Sequence, residues 1–311
     1  MSKEIYEKLD LFYLGKDFDK VTLQSTNEFT LIKNKAFTTH ATIIGMTGSG
    51  KTGLGVGLIE EAALDNIPSI IIDPKGDMGN LCLVDSTFDP ASFEGWIKDD
   101  AISKGKDPKE YSKEVAQNWL NGIESFGQDK ERVGRFQSVE KTIYTPGSTA
   151  GVGVNILSSL EVPNGEILED MDTYMSYLKT TTSSLLSLIG ISDDSNSKEY
   201  VLLSTIISNS WQSGENVSLE TIIAHIIKPA FDKIGILPLE DFFESKDRFD
   251  FASKFNSLLA SPSFALWLQG ENIDIDKLLY DKDGKAKIAI FNISHLDENQ
   301  RMFFVSMLLN R

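Results

Sequence analysis

The sequence predicts an α/β protein, a mainly parallel sheet with helices on both faces and a large all-helical insertion. Three observations carry that expectation. Residues 45 to 52 read Gly45-Met46-Thr47-Gly48-Ser49-Gly50-Lys51-Thr52, a complete G-x-x-x-x-G-K-[ST] pattern set between an apolar run and a helix-compatible stretch. Short apolar, β-branched runs recur at 69–72, 142–144 and 287–293, each stopped by turn-forming residues. Between about 155 and 283 the apolar period becomes helical. Strands that alternate with helices around such a loop imply a sheet buried on both faces.

Residues 1–36 are mixed and polar around the apolar knot Leu11-Phe12-Tyr13-Leu14-Gly15, and read as an N-terminal strap. The first part of the core is expected at 37–154. There Ala41-Thr42-Ile43-Ile44 predicts a strand running into the first glycine, with a helix following through Ala63. A second strand over 68–72 ends in Asp73-Pro74-Lys75-Gly76-Asp77. The segment 90–139 reads as polar helices anchored by Trp96 and Trp119. A third strand at 142–144 stops at Thr145-Pro146-Gly147-Ser148. The insertion occupies 155–284, with helical periods at 171–189, 199–211, 219–227 and 249–259. The core resumes at 285–311 with a strand over 287–293 and an apolar-rich helix over 297–310.

The loop at 45–52 points to nucleoside-triphosphate binding for a physical reason. Glycines at 45, 48 and 50 let successive backbone N–H groups turn inward, toward phosphate oxygens at the positive end of the next helix. Lys51 supplies a point charge for the β- and γ-phosphates, and the Thr52 hydroxyl supplies a ligand for Mg²⁺, which keeps most of its waters. The expected nucleotide-binding set is Gly45, Thr47, Gly48, Ser49, Gly50, Lys51, Thr52 and Gly53. Gly53, with Gly55 and Gly57, also reads as room for the helix that follows the loop to approach the sheet closely.

Composition narrows the remaining classes. The 311 residues carry a net charge of −16, and no Lys/Arg-rich run stands out, so an isolated monomer is expected to bind DNA poorly. A ring whose channel carries a few basic groups would escape that limit, because local potential decides contact. Cys82 is the single cysteine, which excludes an intrachain disulfide and a zinc framework. The charged N-terminus, and the lack of any apolar run near the about 18 residues of a membrane helix, predict a cytoplasmic protein with no membrane partner.

Phosphate chemistry also needs an acid at a strand end. Asp73 closes the run Ser69-Ile70-Ile71-Ile72 and reads equally as an acid near Mg²⁺ or as a cap of the Pro74-Lys75-Gly76 turn. Asp77, four residues on, is a second candidate. The catalytic set read from the sequence is therefore Lys51, Asp77 and Asp73, with Thr52 and Asp73 toward the metal.

At these residues a resemblance emerges. Thr39-His40-Ala41-Thr42-Ile43-Ile44 before the loop, Ile70-Ile71-Ile72-Asp73-Pro74-Lys75-Gly76-Asp77 after it, and the later Ile288-Ala289-Ile290-Phe291-Asn292-Ile293-Ser294-His295-Leu296 and Arg301-Met302-Phe303-Phe304 resemble the HerA-like branch of the HerA/FtsK superfamily. The resemblance runs from about Phe12 to the last residue, and is specific in these motifs but vague across the insertion. It implies a P-loop, RecA-like motor that uses ATP and Mg²⁺, assembles as a ring, typically a hexamer, and acts on double-stranded DNA or with a partner effector protein. It also implies that Asp77 is the acid of the second-strand motif. In that family the principal acidic strand, an apolar run followed by Asp-Glu, comes after the helix on which this sequence stops, so the chain is expected to be the N-terminal part of a longer ATPase. Asp297-Glu298 does not replace that strand, because the pair reads as a helix start.

Other residues take plainer readings. His40 is expected to fix the edge of the nucleotide strand and His225 to sit in an apolar helix. Asn292, Ser294 and His295 read as a polar strand end or as neighbours of the γ-phosphate. Arg132, Arg135 and Arg248 read as surface salt-bridge formers, and Trp211, Trp267, Met171 and Met175 as helical core. Two other function classes stay open. One is a nucleotide-dependent scaffold for an effector. The other is a small-molecule kinase or GTPase, the latter weakened by the lack of an Asn-Lys-x-Asp motif.

Overall fold

The computed structural model describes residues 10–156 and 160–310. The chain opens with an antiparallel hairpin, β1 (Leu11–Asp19) and β2 (Gln24–Lys33), in the region read as a strap. Two irregularities in its register, between Tyr13 and Gly15 and between Lys16 and Phe18, bend the ribbon. After the phosphate-loop sequence come α1 (Lys51–Leu64) and β3 (Ser69–Asp73). Three helices follow, α2 (Pro90–Ser103), α3 (Pro108–Ser125) and α4 (Lys130–Gln137). Each starts at an aspartate, Asp89, Asp107 or Asp129, whose side chain accepts from first-turn N–H groups, and α2 and α3 add proline at the first position.

Beyond β4 (Lys141–Tyr144), the main helices are α5 (Met171–Leu188), α6 (Lys198–Gln212), α7 (Leu219–Ile227) and α8 (Ser245–Ala260). The chain ends in β5 (Ile288–Asn292) and α9 (Glu298–Leu309). Asp297 begins α9 as half of a capping box with Gln300, the role expected for Asp297-Glu298. Strands β3, β5 and β4 form one parallel sheet in that order, so the strand that arrives last in the chain lies in the middle. Every described residue of β5 except Asn292 is buried, as a central strand requires. The α/β class with a parallel sheet is as the sequence predicts.

Two compact units are distinguished, one holding the hairpin and α1 to α4, the other α5 to α9. In the first, Phe88, Phe93 and Ala116 form a core packed against Val115, Leu120, Ile123 and Val133. Its anchor is Phe93. Trp96 and Trp119, expected to anchor these helices, flank that ring at 5.2 and 5.5 Å but stay substantially exposed. In the second unit, Trp211 is buried beside Tyr177, 5.4 Å between rings, and donates its indole N–H to Leu160 O. Trp267 is also buried, 6.1 Å from Phe303. Both tryptophans are core, as expected. Met171 and Met175 are not: they are 68% and 52% exposed, because the buried stripe of α5 runs through Tyr174, Tyr177, Leu178 and Leu185 instead.

Two arginines read as surface residues are buried. Arg132 pairs with Glu61, and both side chains are nearly inaccessible. Arg248 donates to Phe243 O and to Glu240 at 2.8 Å. Glu240 itself is exposed, and hydrogen bonds from Ser245 and then Arg248 hold its carboxyl down at about 2. Arg135 is exposed. Among the described residues no helix is long and apolar enough to cross a membrane.

Candidate nucleotide site

The first departure from expectation lies just before the loop. Residues 40–46 adopt no regular structure, and Ile44 is 88% exposed, so the predicted strand over Ala41-Thr42-Ile43-Ile44 does not form. An apolar, β-branched run becomes a strand only where a neighbour takes its N–H and C=O groups. Among the described residues no strand pairs with it. His40 therefore has no strand edge to fix and is exposed.

The loop itself is locally organised. Ser49 N–H donates to Met46 O at 3.1 Å, closing a turn, and Leu54 N–H donates to Gly50 O at 2.9 Å as the first helical bond of α1. Gly48 and Gly50 have φ of +79° and +86°, the left-handed region that a side chain resists. A Cβ at Gly45 would collide with Ser49 Oγ. Gly50 caps α1 without any side-chain hydrogen bond, and no acid stands in the first turn of that helix. The orphan N–H groups and the positive end of α1 are thus left for an external anion.

Lys51, read from the sequence as a point charge for the phosphates, is engaged within the loop. It is half-buried, and its ammonium donates to Gly45 O at 2.8 Å and to Met46 O at 2.7 Å. The lysine ties the loop back onto its own helix. Thr52 and Gly53 are exposed in the first turn. Close sheet packing is not the reason for the glycines along α1: a Cβ at Gly53 or Gly57 would meet no atom within 4 Å, and one at Gly55 would only touch Ile43 and Met78 at 3.9 Å.

Asp73 ends β3 with 2% of its surface exposed. Its Oδ1 accepts from Lys75 N–H at 3.1 Å and Gly76 N–H at 2.8 Å, and its backbone oxygen accepts from Ile293 N–H at 3.0 Å. The capping reading of Asp73 is therefore realised in this structure. The turn that it caps lies against the end of β5. A Cβ on Gly76 would sit 3.0 Å from Ser294 Oγ and 3.2 Å from Asn292 Nδ2. Asn292 Oδ1 in turn accepts from both the N–H and the hydroxyl of Ser294.

Arg301, quoted only for its resemblance, holds this corner from α9 by donating to Ile293 O at 3.1 Å and Ser294 O at 2.8 Å. The only sequence signal for that role is an arginine in the first turns of a helix that follows a strand by a few residues. His295 is occupied elsewhere, its Nε2 lying 2.8 Å from Pro146 O. Asp77 begins a short 3₁₀ turn (Met78–Cys82), half-buried and without a side-chain capping bond.

A family model described as the central domain of helicase HerA matches residues 20–311. The chain belongs to the HerA central-domain family. No curated protein and no solved structure matches it significantly. As a HerA-family chain it is placed among the ATPases of the HerA/FtsK superfamily, for which nucleotide binding is the common property. Among the described residues of this HerA-family chain there is no cluster of three or more His, Cys, Asp or Glu side chains that could cage a metal. Mg²⁺ needs none, since phosphate oxygens, waters and one hydroxyl such as that of Thr52 suit its coordination.

Proposed function

We propose that Gly45 to Thr52 bind the triphosphate of ATP, and that the chain is the ATP-binding core of a ring-forming, HerA-like ATPase related to DNA translocases and helicases. The observation that carries this reading is the pre-turned loop, with Gly48 and Gly50 in left-handed conformations at the uncapped start of α1. Backbone N–H groups from Gly48 to Gly53, with those of Thr47 and Gly45 beside them, donate to the phosphate oxygens. Lys51 exchanges its two carbonyl partners for phosphate oxygens, and that exchange trades neutral acceptors for charged ones. Thr52 would offer its hydroxyl to Mg²⁺, which would supply charge neutralisation at the phosphates.

Asp77 is the better of the two acids for orienting an attacking water. Its carboxylate is not engaged in capping, whereas one oxygen of Asp73 is committed to the Lys75 and Gly76 amides. The test is steady-state ATP hydrolysis by the chain with and without duplex DNA, beside Lys51→Ala and Asp77→Asn. Turnover lost in both variants and raised by DNA supports the motor. Turnover unaffected by Lys51→Ala refutes the site.

The charge of −16 favours a second reading, a nucleotide-dependent scaffold that engages an effector protein rather than DNA. Light scattering after size exclusion separates the two. A ring that forms with ATP but shows no DNA-stimulated turnover supports the scaffold.

A further inference from the structure

The first unit contains a cleft of about 350 Å³ on the side of α1 away from its phosphate-loop end, bounded by β1, α1, α3 and α4. Its walls are mainly apolar and aromatic, with Phe88, Trp119, Phe126 and Phe136 among them, and its size is that of a small-ligand pocket. Glu60 and Glu61 of α1 both face it, as does Asp85.

The charges are unevenly satisfied. Glu61 is fully engaged, one carboxylate oxygen by the Arg132 guanidinium and the other by Tyr13 N–H at 2.8 Å. Glu60 has no hydrogen bond or ion pair among the described residues. Burial, and then the neighbouring Glu61 charge, push its carboxyl above the usual range, against the pull of Arg132 and Lys141. Lys141 does not close on it, because its ammonium donates to Phe136 O at 2.6 Å and Val139 O at 2.9 Å. Asp85 is held below the usual range, against its burial, chiefly by hydrogen bonds from Thr87. The cleft thus presents surplus negative charge beside aromatic rings, and its guanidinium is already paired. A buried carboxylate is stabilised by a cation, and aromatic faces attract cations as well.

We propose that this cleft binds a small organic cation of the aryl-alkyl ammonium class, its charged head paired with Glu60 and its ring against the aromatic wall. The site is separate from the phosphate loop. Glu60 lies nine residues along α1 from Lys51, about 14 Å at 1.5 Å per residue.

Calorimetric titration of the full chain with tryptamine tests this, with indole-3-propionate as the control of similar shape and opposite charge. Tryptamine is expected to bind at least tenfold tighter than indole-3-propionate, and Glu60→Gln to lose at least tenfold in tryptamine affinity. A second variant guards against a folding artefact. A Cβ at Gly57, which lines the cleft, meets no atom within 4 Å, so the side chain of Gly57→Leu starts in open space and is expected to occupy part of the cleft, and thermal unfolding run beside the titration checks that the variant is folded. Absence of tryptamine binding, equal affinity for the two indoles, or binding that survives Gly57→Leu overturns the proposal.

Discussion

Replacing Lys51 by alanine removes two hydrogen bonds that hold the loop, to Gly45 O and Met46 O, and the charge proposed to meet the phosphates. The two losses have very different sizes. Residues 40–50 are exposed, so water replaces the ammonium at both carbonyls, and the effect on stability should stay under about 1 kcal/mol. On the nucleotide each charge-assisted bond is worth about 1.5–3 kcal/mol. With two such bonds lost, less what the lysine gives up in leaving its carbonyls, the net is roughly 3 kcal/mol. At about 1.4 kcal/mol per tenfold, affinity falls on the order of a hundredfold. Titration with a fluorescent N-methylanthraniloyl ATP in Mg²⁺, run beside thermal unfolding, reads both quantities. Affinity within threefold of the parent would refute the role of Lys51. Unfolding of the variant would refute the view that its resting bonds are dispensable.

Three further outcomes follow from particular contacts. Arg132→Ala leaves Glu61 buried and uncompensated, and should cost about 3–5 kcal/mol in urea unfolding; a cost under about 1 kcal/mol would mean that water reaches the pair. Gly76→Ala places a side chain at φ +81° within 3.0 Å of Ser294 Oγ, so about 1–3 kcal/mol of stability should be lost, and an unchanged melting temperature would contradict the corner described for β3 and β5. Glu60 has a raised carboxyl in the folded state, so the native protein holds its proton longer than the unfolded chain does. That group's contribution is fully present below its ordinary value of 4.5 and is lost as pH rises through the higher folded value. Glu60→Gln should therefore be more stable than the parent at pH 7, with the difference shrinking toward pH 4.5, and urea titrations at pH 5, 6 and 7 that show no convergence would refute the assignment.

The phosphate loop was legible because its information is local. Eight consecutive residues determine a turn and a helix start, and Gly48 and Gly50 adopt the conformations that only glycine takes readily. The central strand Ile288–Asn292 and the helices over Met171–Leu188 and Lys198–Gln212 were equally readable, since apolar run length and period are properties of the segment itself. Membership in the HerA family was visible in the residues from Ile70 to Asp77 and from Ile288 to Leu296, which cover the two elements that meet at Gly76 and Ser294.

Tertiary structure decided what depends on a distant partner. Ala41-Thr42-Ile43-Ile44 has a strand's composition, yet pairing is not contained in a segment, and unpaired it stays irregular and exposed. Arg132 looks like any surface arginine until Glu61, 71 residues away, is placed beside it. Trp119 and Met171 are apolar enough for a core, but only helix orientation shows that Phe93 and Tyr174 take the inward positions. Lys51 reads from the motif as a free charge, and only the folded loop brings two carbonyl oxygens within its reach. Sequence by itself determined the class of fold and the glycine turn at 45–52, because both rest on properties of short segments of the chain. Which charges are buried, which rings anchor, and how the lysine waits were set by contacts between segments far apart in the chain.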